Sequence, residues 1–159
     1  MKAQIKVGVL VVNERSEVLL IKEKPPNIGQ AKWNIIKGTH EDNGETIFET
    51  AIRECQEEAS IDVELTHALG VYLYDGDRRF RIQFNFLAVA KNSKAIVPDK
   101  DHQELRNENI SEAHWFRKEE VLKLEKSDYL SEITYQVIQG CLKDGKKYPL
   151  EIYNQPHQV

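Results

Sequence analysis

Thr46-Ile47-Phe48-Glu49-Thr50-Ala51-Ile52-Arg53-Glu54-Cys55-Gln56-Glu57-Glu58-Ala59-Ser60 carries two patterns on one helix. Thr46 and Glu49 fit a reciprocal N-terminal cap, in which each side chain accepts a hydrogen bond from the other residue's amide. At ~100° per residue, Phe48, Ala51, Ile52, Cys55 and Ala59 form a stripe wide enough to face a core. Glu54, Glu57 and Glu58 occupy a separate arc, with Glu54 and Glu58 one turn apart and Glu57 beside them.

An acidic arc on a helix is ordinarily a solvated face. Here, however, the i,i+4 repulsion and the position of Glu57 and Glu58 near the negative end of the helix dipole both oppose helix stability. Arg53, four residues before Glu57, is the obvious intrahelical partner, so most of the negative charge is left for something external. Hard carboxylate oxygens suit Mg2+, with Mn2+ as a substitute.

Upstream, Ile5 to Val12 and Glu17 to Lys22 flank the turn-forming Asn13-Glu14-Arg15-Ser16 and read as a β-hairpin. A short strand is expected over Trp33 to Ile36, followed by a loop from Lys37 to Gly44. Downstream, Leu69 to Tyr74 and Phe80 to Ala90 read as strands joined at Asp75-Gly76-Asp77. A further strand is expected over Ala113 to Phe116, with helices over Lys118 to Leu124 and Tyr129 to Leu142, the second capped by Ser127 or Asp128. The mixed order of strands and helices argues for an α/β or α+β sandwich, and residues 1–159 for a single domain.

Composition narrows the function. The chain is 40% hydrophobic and 30% charged, without an apolar run of membrane-spanning length or a signal-peptide pattern, so a cytoplasmic address and no membrane partner are expected. Cys55 and Cys141 sit in apolar helical patterns and read as buried free thiols. A net charge of -4 disfavours long nucleic acid as a partner.

The segment Gly38 to Ile61 resembles the Nudix box: Gly, five residues, Glu, seven residues, then Arg-Glu-hydrophobic-any-Glu-Glu-any-Gly-hydrophobic. Glu45 is followed by seven residues and then by Arg53-Glu54-Cys55-Gln56-Glu57-Glu58-Ala59-Ser60-Ile61. Trp33-Asn34-Ile35-Ile36-Lys37-Gly38 also resembles the strand and loop that lead into the box. There are two departures: six residues rather than five separate Gly38 from Glu45, and Ser60 stands in the glycine position that closes the helix.

The resemblance implies a MutT-like α/β/α sandwich with a mixed sheet between helices, and hydrolysis of a phosphoanhydride bond. It implies that Glu54, Glu57, Glu58 and the Gly38 carbonyl hold magnesium, that Arg53 orients the carboxylates, and that Glu45 partners the loop or helix. Glu57 is the first choice as general base, with Glu108 and Glu104 as outside candidates; Glu108 also joins the expected metal ligands. Lys37, Arg81 and Trp33 are expected to bind substrate, the cations through phosphate and Trp33, Tyr72 or Tyr74 by stacking on a base. His40 is read as an exposed loop histidine that could touch phosphate. The expected ligand is a nucleotide or nucleoside diphosphate derivative, and a homodimer is left open. A catalytically weak nucleotide sensor on the same fold is the second reading, and a generic α/β binding domain with an acidic helix the third.

Overall fold

The chain alternates short strands with few helices: β1 (Ala3–Val12), β2 (Val18–Glu23), β3 (Lys32–Asn34), β4 (Ile36–Thr39), α1 (Ile47–Ala59), β5 (Val63–Gly76), β6 (Arg79–Ala90), α2 (Lys100–Leu105), β7 (Ile110–Phe116), α3 (Lys118–Lys123), α4 (Glu132–Ile138) and β8 (Tyr148–Pro149). The structure is a computed structural model and describes residues 3–76, 79–92 and 94–154. The tip of the turn expected at Asp75-Gly76-Asp77 therefore lies partly outside the described residues.

β1 is the spine of the mixed sheet. It runs parallel to β6 from Ala3↔Phe80 to Val12↔Val89, while its other edge is shared by two antiparallel strands. β2 pairs with it only at Val11↔Leu19 and Val12↔Val18, and β4 takes Lys6 to Val9. The expected hairpin thus splays after two residue pairs, and β2 continues against β3 and β7. The strand expected over Trp33 to Ile36 is two strands that change partner at Ile35, and the segment expected to be loop from Lys37 remains strand through Thr39.

Alternation along the strands loads both faces with apolar side chains. On one face Val7, Val9, Val11, Phe86 and Ala88 pack with Ala51, Cys55 and Ala59 of α1. On the other, Leu10, Leu20, Ile35 and Leu87 pack with Val121, Val137 and Ile138 near α3 and α4. The sheet is therefore held between helices, as the sandwich reading expects.

Two local expectations need correction. Ile52 is 43% exposed, whereas Thr50 is fully buried, so the inward stripe of α1 is rotated toward the polar side. The last long helix begins at Glu132 with Ser131 as its cap, not Ser127 or Asp128. The preceding Tyr129 is instead buried, with its hydroxyl donating to the Val121 carbonyl. The polar segment after Asp99 contains the short helix α2, whose cap is the Asp99 carboxylate.

Candidate active site

The Thr46–Glu49 capping box forms as read, with Glu49 N donating to Thr46 Oγ1 (3.1 Å) and Thr46 N to Glu49 Oε2 (2.8 Å). Ser60 ends α1 in the left-handed region (φ 54°), and the Ser60 and Ile61 amides donate to the Gln56 and Cys55 carbonyls. Serine thus completes the closure that usually falls to glycine. In the longer loop before Glu45, the Asn43 side-chain oxygen accepts from the Glu45 amide at 2.9 Å.

With both ends of α1 set, its acidic flank meets β4. Glu54 and Glu58 are buried, at 6% and 4% exposure, which excludes a solvated acidic face for these two. Glu58 accepts from the Lys37 amide at 3.1 Å. Glu54 lies against Gly38 so closely that a Cβ there would collide with its carboxyl group. The third carboxylate comes from afar: Glu108 follows α2, and oxygens of Glu54, Glu58 and Glu108 lie within 4.8 Å of one another. Gln103 anchors that segment through Pro98 O (2.8 Å), Ile110 O (3.0 Å) and Ile110 N (2.6 Å). Sequence reasoning did not single out Gln103, because its role depends on contacts across the loop. Glu104 is exposed on the same segment.

Arg53 organises the remaining acids. Its Nε donates to both Glu45 oxygens (2.9 and 3.1 Å), and Nη1 donates to Glu54 and Glu57, each at 3.0 Å. Glu57 is not in the three-carboxylate group; it sits half-buried beside it, between Arg53 and Arg106, whose Nη1 donates to the Glu57 carbonyl (3.0 Å). Glu45 also accepts from the Thr50 hydroxyl at 3.1 Å. Thr50 in turn pairs with His40 Nδ1 at 2.8 Å, so His40 is a half-buried structural partner and not the exposed loop residue expected.

Electrostatics mark the site as short of positive charge. Burial, opposed by Arg53 and reinforced by Glu57 and Glu108, pushes Glu54 up to about 7. Burial, with Glu23 and Glu54 nearby, raises Glu58 well above the usual carboxylate range, and burial also raises Glu108. Glu108 Oε2 is buried without a hydrogen-bond partner. Three converging carboxylates, one with an orphaned oxygen, are the donor set that a hard divalent cation takes.

These acids line a cleft of about 850 Å³ together with Lys6, Lys37 and Arg81. Burial and the neighbouring Lys6 and Arg81 hold Lys37 down to about 8. Trp33 does not line this cleft; its ring packs edge-on against Phe116 at 4.8 Å, with Lys22 over it. Tyr72 borders α4, and Tyr74 is exposed on the sheet. Of the polar face of β6, Arg81 reaches the cleft, whereas Gln83 and Asn85 are buried and bonded to each other (2.7 Å) above Gly8. A larger cleft of about 1350 Å³ lies beyond the Glu45 loop, lined by His40, Phe84, Tyr148 and Tyr153 among others, away from the Glu54, Glu58 and Glu108 group.

The geometry agrees with three comparisons. The family model described as NUDIX domain matches residues 2–137. The chain is 29% identical over 143 residues to "Phosphatase NudJ" of Shigella boydii serotype 4 (strain Sb227), covering 89% of this chain and 85% of that protein. Among solved structures, a NUDIX hydrolase from Nitrosomonas europaea superposes with a TM-score of 0.77 at 22% identity, over 99% of this chain and all of the other. The NUDIX domain of Shewanella oneidensis NrtR complexed with ADP ribose superposes with a TM-score of 0.69 at 14% identity, over 91% and 89% of the two chains. The carboxylate-bearing helix α1 therefore belongs to a Nudix box, and the chain belongs to the NUDIX domain family as a hydrolase acting on phosphorus-containing anhydrides.

Proposed function

We propose that the chain is a magnesium-dependent pyrophosphohydrolase that cleaves a phosphoanhydride bond of a nucleoside di- or triphosphate, or of a nucleoside diphosphate linked to another moiety. The observation that carries this reading is the convergence of Glu54, Glu58 and Glu108 within 4.8 Å, in a cleft that Lys37 and Arg81 also line.

Glu54, Glu58, Glu108 and the Gly38 carbonyl would hold the metal, which when bound neutralises substrate phosphates and activates water. Without positive charge between them, phosphate and carboxylate repel by about 4 kcal/mol per pair of unit charges at 4 Å and an effective dielectric near 20. Arg53 fixes the directions of Glu54 and Glu57, so that the acids are set before substrate arrives. Glu57, half-buried beside the three, takes the proton of the attacking water in this reading. Lys37 and Arg81 bind phosphate oxygens. The ADP ribose in the NrtR domain supports a nucleotide derivative as ligand class.

The two departures from the box, Ser60 and the longer loop, lend a weak sensor no support, because neither disturbs α1: Ser60 closes the helix and Glu45 still meets Arg53 at 2.9 Å. Phosphate and diphosphate release should be measured over nucleotides, ADP-ribose and dinucleoside polyphosphates, with magnesium and with EDTA. Magnesium-dependent turnover that disappears in Glu58→Gln, with the fold intact, is expected. Turnover unchanged in EDTA or in that variant would defeat the reading.

A further inference from the structure

Lys6, Lys37 and Arg81 come from three neighbouring strands and share one face of the sheet. Lys37 is opposite Gly8 on β1, Arg81 is opposite Gln4, and Lys6 lies between those two positions. Residues directly opposite each other in a ladder project to the same side, as do positions two apart. All three line the cleft that holds Glu54, Glu58 and Glu108.

Among the described residues, none of the three makes an ion pair. The Lys6 ammonium donates to the neutral Thr39 hydroxyl at 2.6 Å, which steadies it without discharging it. Three cations gathered on one face with no carboxylate at ion-pair distance, the acids Glu23, Glu54 and Glu58 of the same cleft lying farther off, gain from an anion that reaches all of them, such as a chain of phosphates.

The rest of the lining offers little to a nucleobase. Its apolar members are Pro25, Leu105 and Leu130 apart from Gly38, and no Phe, Tyr or Trp among the described residues lines it. Stacking on aromatic rings contributes about 1–3 kcal/mol per base where it occurs. Charge, of both signs, is what this cleft presents to a ligand.

We infer that the site recognises its substrate by the phosphate chain and not by the base, with Lys6, Lys37 and Arg81 forming a receptor for phosphates beyond those next to the carboxylates, so that inorganic tripolyphosphate, which has no nucleoside, is a substrate. The inference rests on the pyrophosphohydrolase reading and names the substrate class of the same cleft. In the reaction, the oxygen of water bonds to a terminal phosphorus while the bridging P–O bond to that phosphorus breaks. The electron pair leaves with diphosphate, and the proton lost by water passes to Glu57 and from there to solvent, giving diphosphate and orthophosphate.

The test compares tripolyphosphate, ATP, GTP, CTP and UTP with magnesium present, in the wild type and in Lys6→Gln and Arg81→Gln. Tripolyphosphate and the four nucleotides should have kcat/KM values within about tenfold of one another, and each variant should lower them by about tenfold through loss of a charge-assisted hydrogen bond. A second readout needs no turnover: in EDTA, tripolyphosphate should raise the wild-type melting temperature, and the Lys6→Gln, Arg81→Gln double variant, folded by circular dichroism, should lose that shift. Nucleotide turnover with tripolyphosphate at about one-hundredth the efficiency or less overturns the inference and leaves the pyrophosphohydrolase reading standing. A metal-free shift that is missing, or that persists in the double variant, also overturns it. Turnover of none of these compounds or of ADP-ribose removes both.

Discussion

Glu54 lies directly over Gly38, so the hydrogen at residue 38 is what leaves room for the carboxylate of residue 54. The two residues belong to β4 and α1 and meet only because the helix packs back on the strand that precedes it. Gly38→Ala should push Glu54 away from Glu58 and Glu108. We expect kcat/KM to fall by about 100-fold and stability to fall by about 1–3 kcal/mol from overpacking. Steady-state kinetics and thermal melts check both, and a variant with normal magnesium dependence and rate would contradict this account of the glycine.

The metal-free protein should lose stability as the pH rises from about 4.5 to about 7. Glu54 is raised from 4.5 to about 7 in the folded chain, so over that interval the folded state holds more protons than the unfolded state. Stability then declines with pH until the carboxylate is ionised in both states. Glu58, raised in the same direction, deepens the decline. Lys37, depressed to about 8, acts only at higher pH and in the opposite sense. Magnesium, which binds the ionised acids, should flatten the slope. Melting temperatures in EDTA and in magnesium across this range provide the measurement; an EDTA series that climbs from pH 5 to 7 refutes the prediction.

Arg53→Lys retains a positive charge but loses the planar fork that reaches Glu45, Glu54 and Glu57 together. We expect turnover to drop by about 10- to 100-fold and half-saturation to move to higher magnesium, as for other residues that orient metal ligands. Rates measured against magnesium concentration report the shift. Wild-type half-saturation in the lysine variant would mean that charge alone suffices.

Ser60→Gly should stabilise the protein. Ser60 holds a left-handed backbone (φ 54°) with a side chain that gains nothing evident there. Glycine relieves that cost, offset in part by its greater freedom when unfolded, for a net gain of about 0.5–1 kcal/mol. Activity should not change, because α1 keeps the same end. A lower melting temperature in the glycine variant would show that the hydroxyl makes a contact of value.

Much of this site is local in sequence. The capping pair Thr46 and Glu49, the acidic arc of Glu54, Glu57 and Glu58, and the link from Arg53 to Glu57 all lie within a few residues, where helical geometry alone dictates neighbours. Ile52 is exposed and Thr50 buried, against the apolar stripe, because one helix wheel cannot say which border of that stripe meets the sheet. His40 read as exposed because its partner, the Thr50 hydroxyl, is ten residues on and reached only once the loop folds over α1. Trp33 read as a stacking platform because its partner Phe116 is far away in the chain.

From residue order alone came the helix, its caps and the clustering of its acids, since these depend on a period of 3.6 residues and on side-chain type, while the family came from the resemblance of that segment to the Nudix box. Packing decided the rest. It selected Glu108 over Glu104 as the third carboxylate, set Glu57 between two arginines, and gathered Lys6, Lys37 and Arg81 from three strands, because strand pairing and burial join positions that no local periodicity connects.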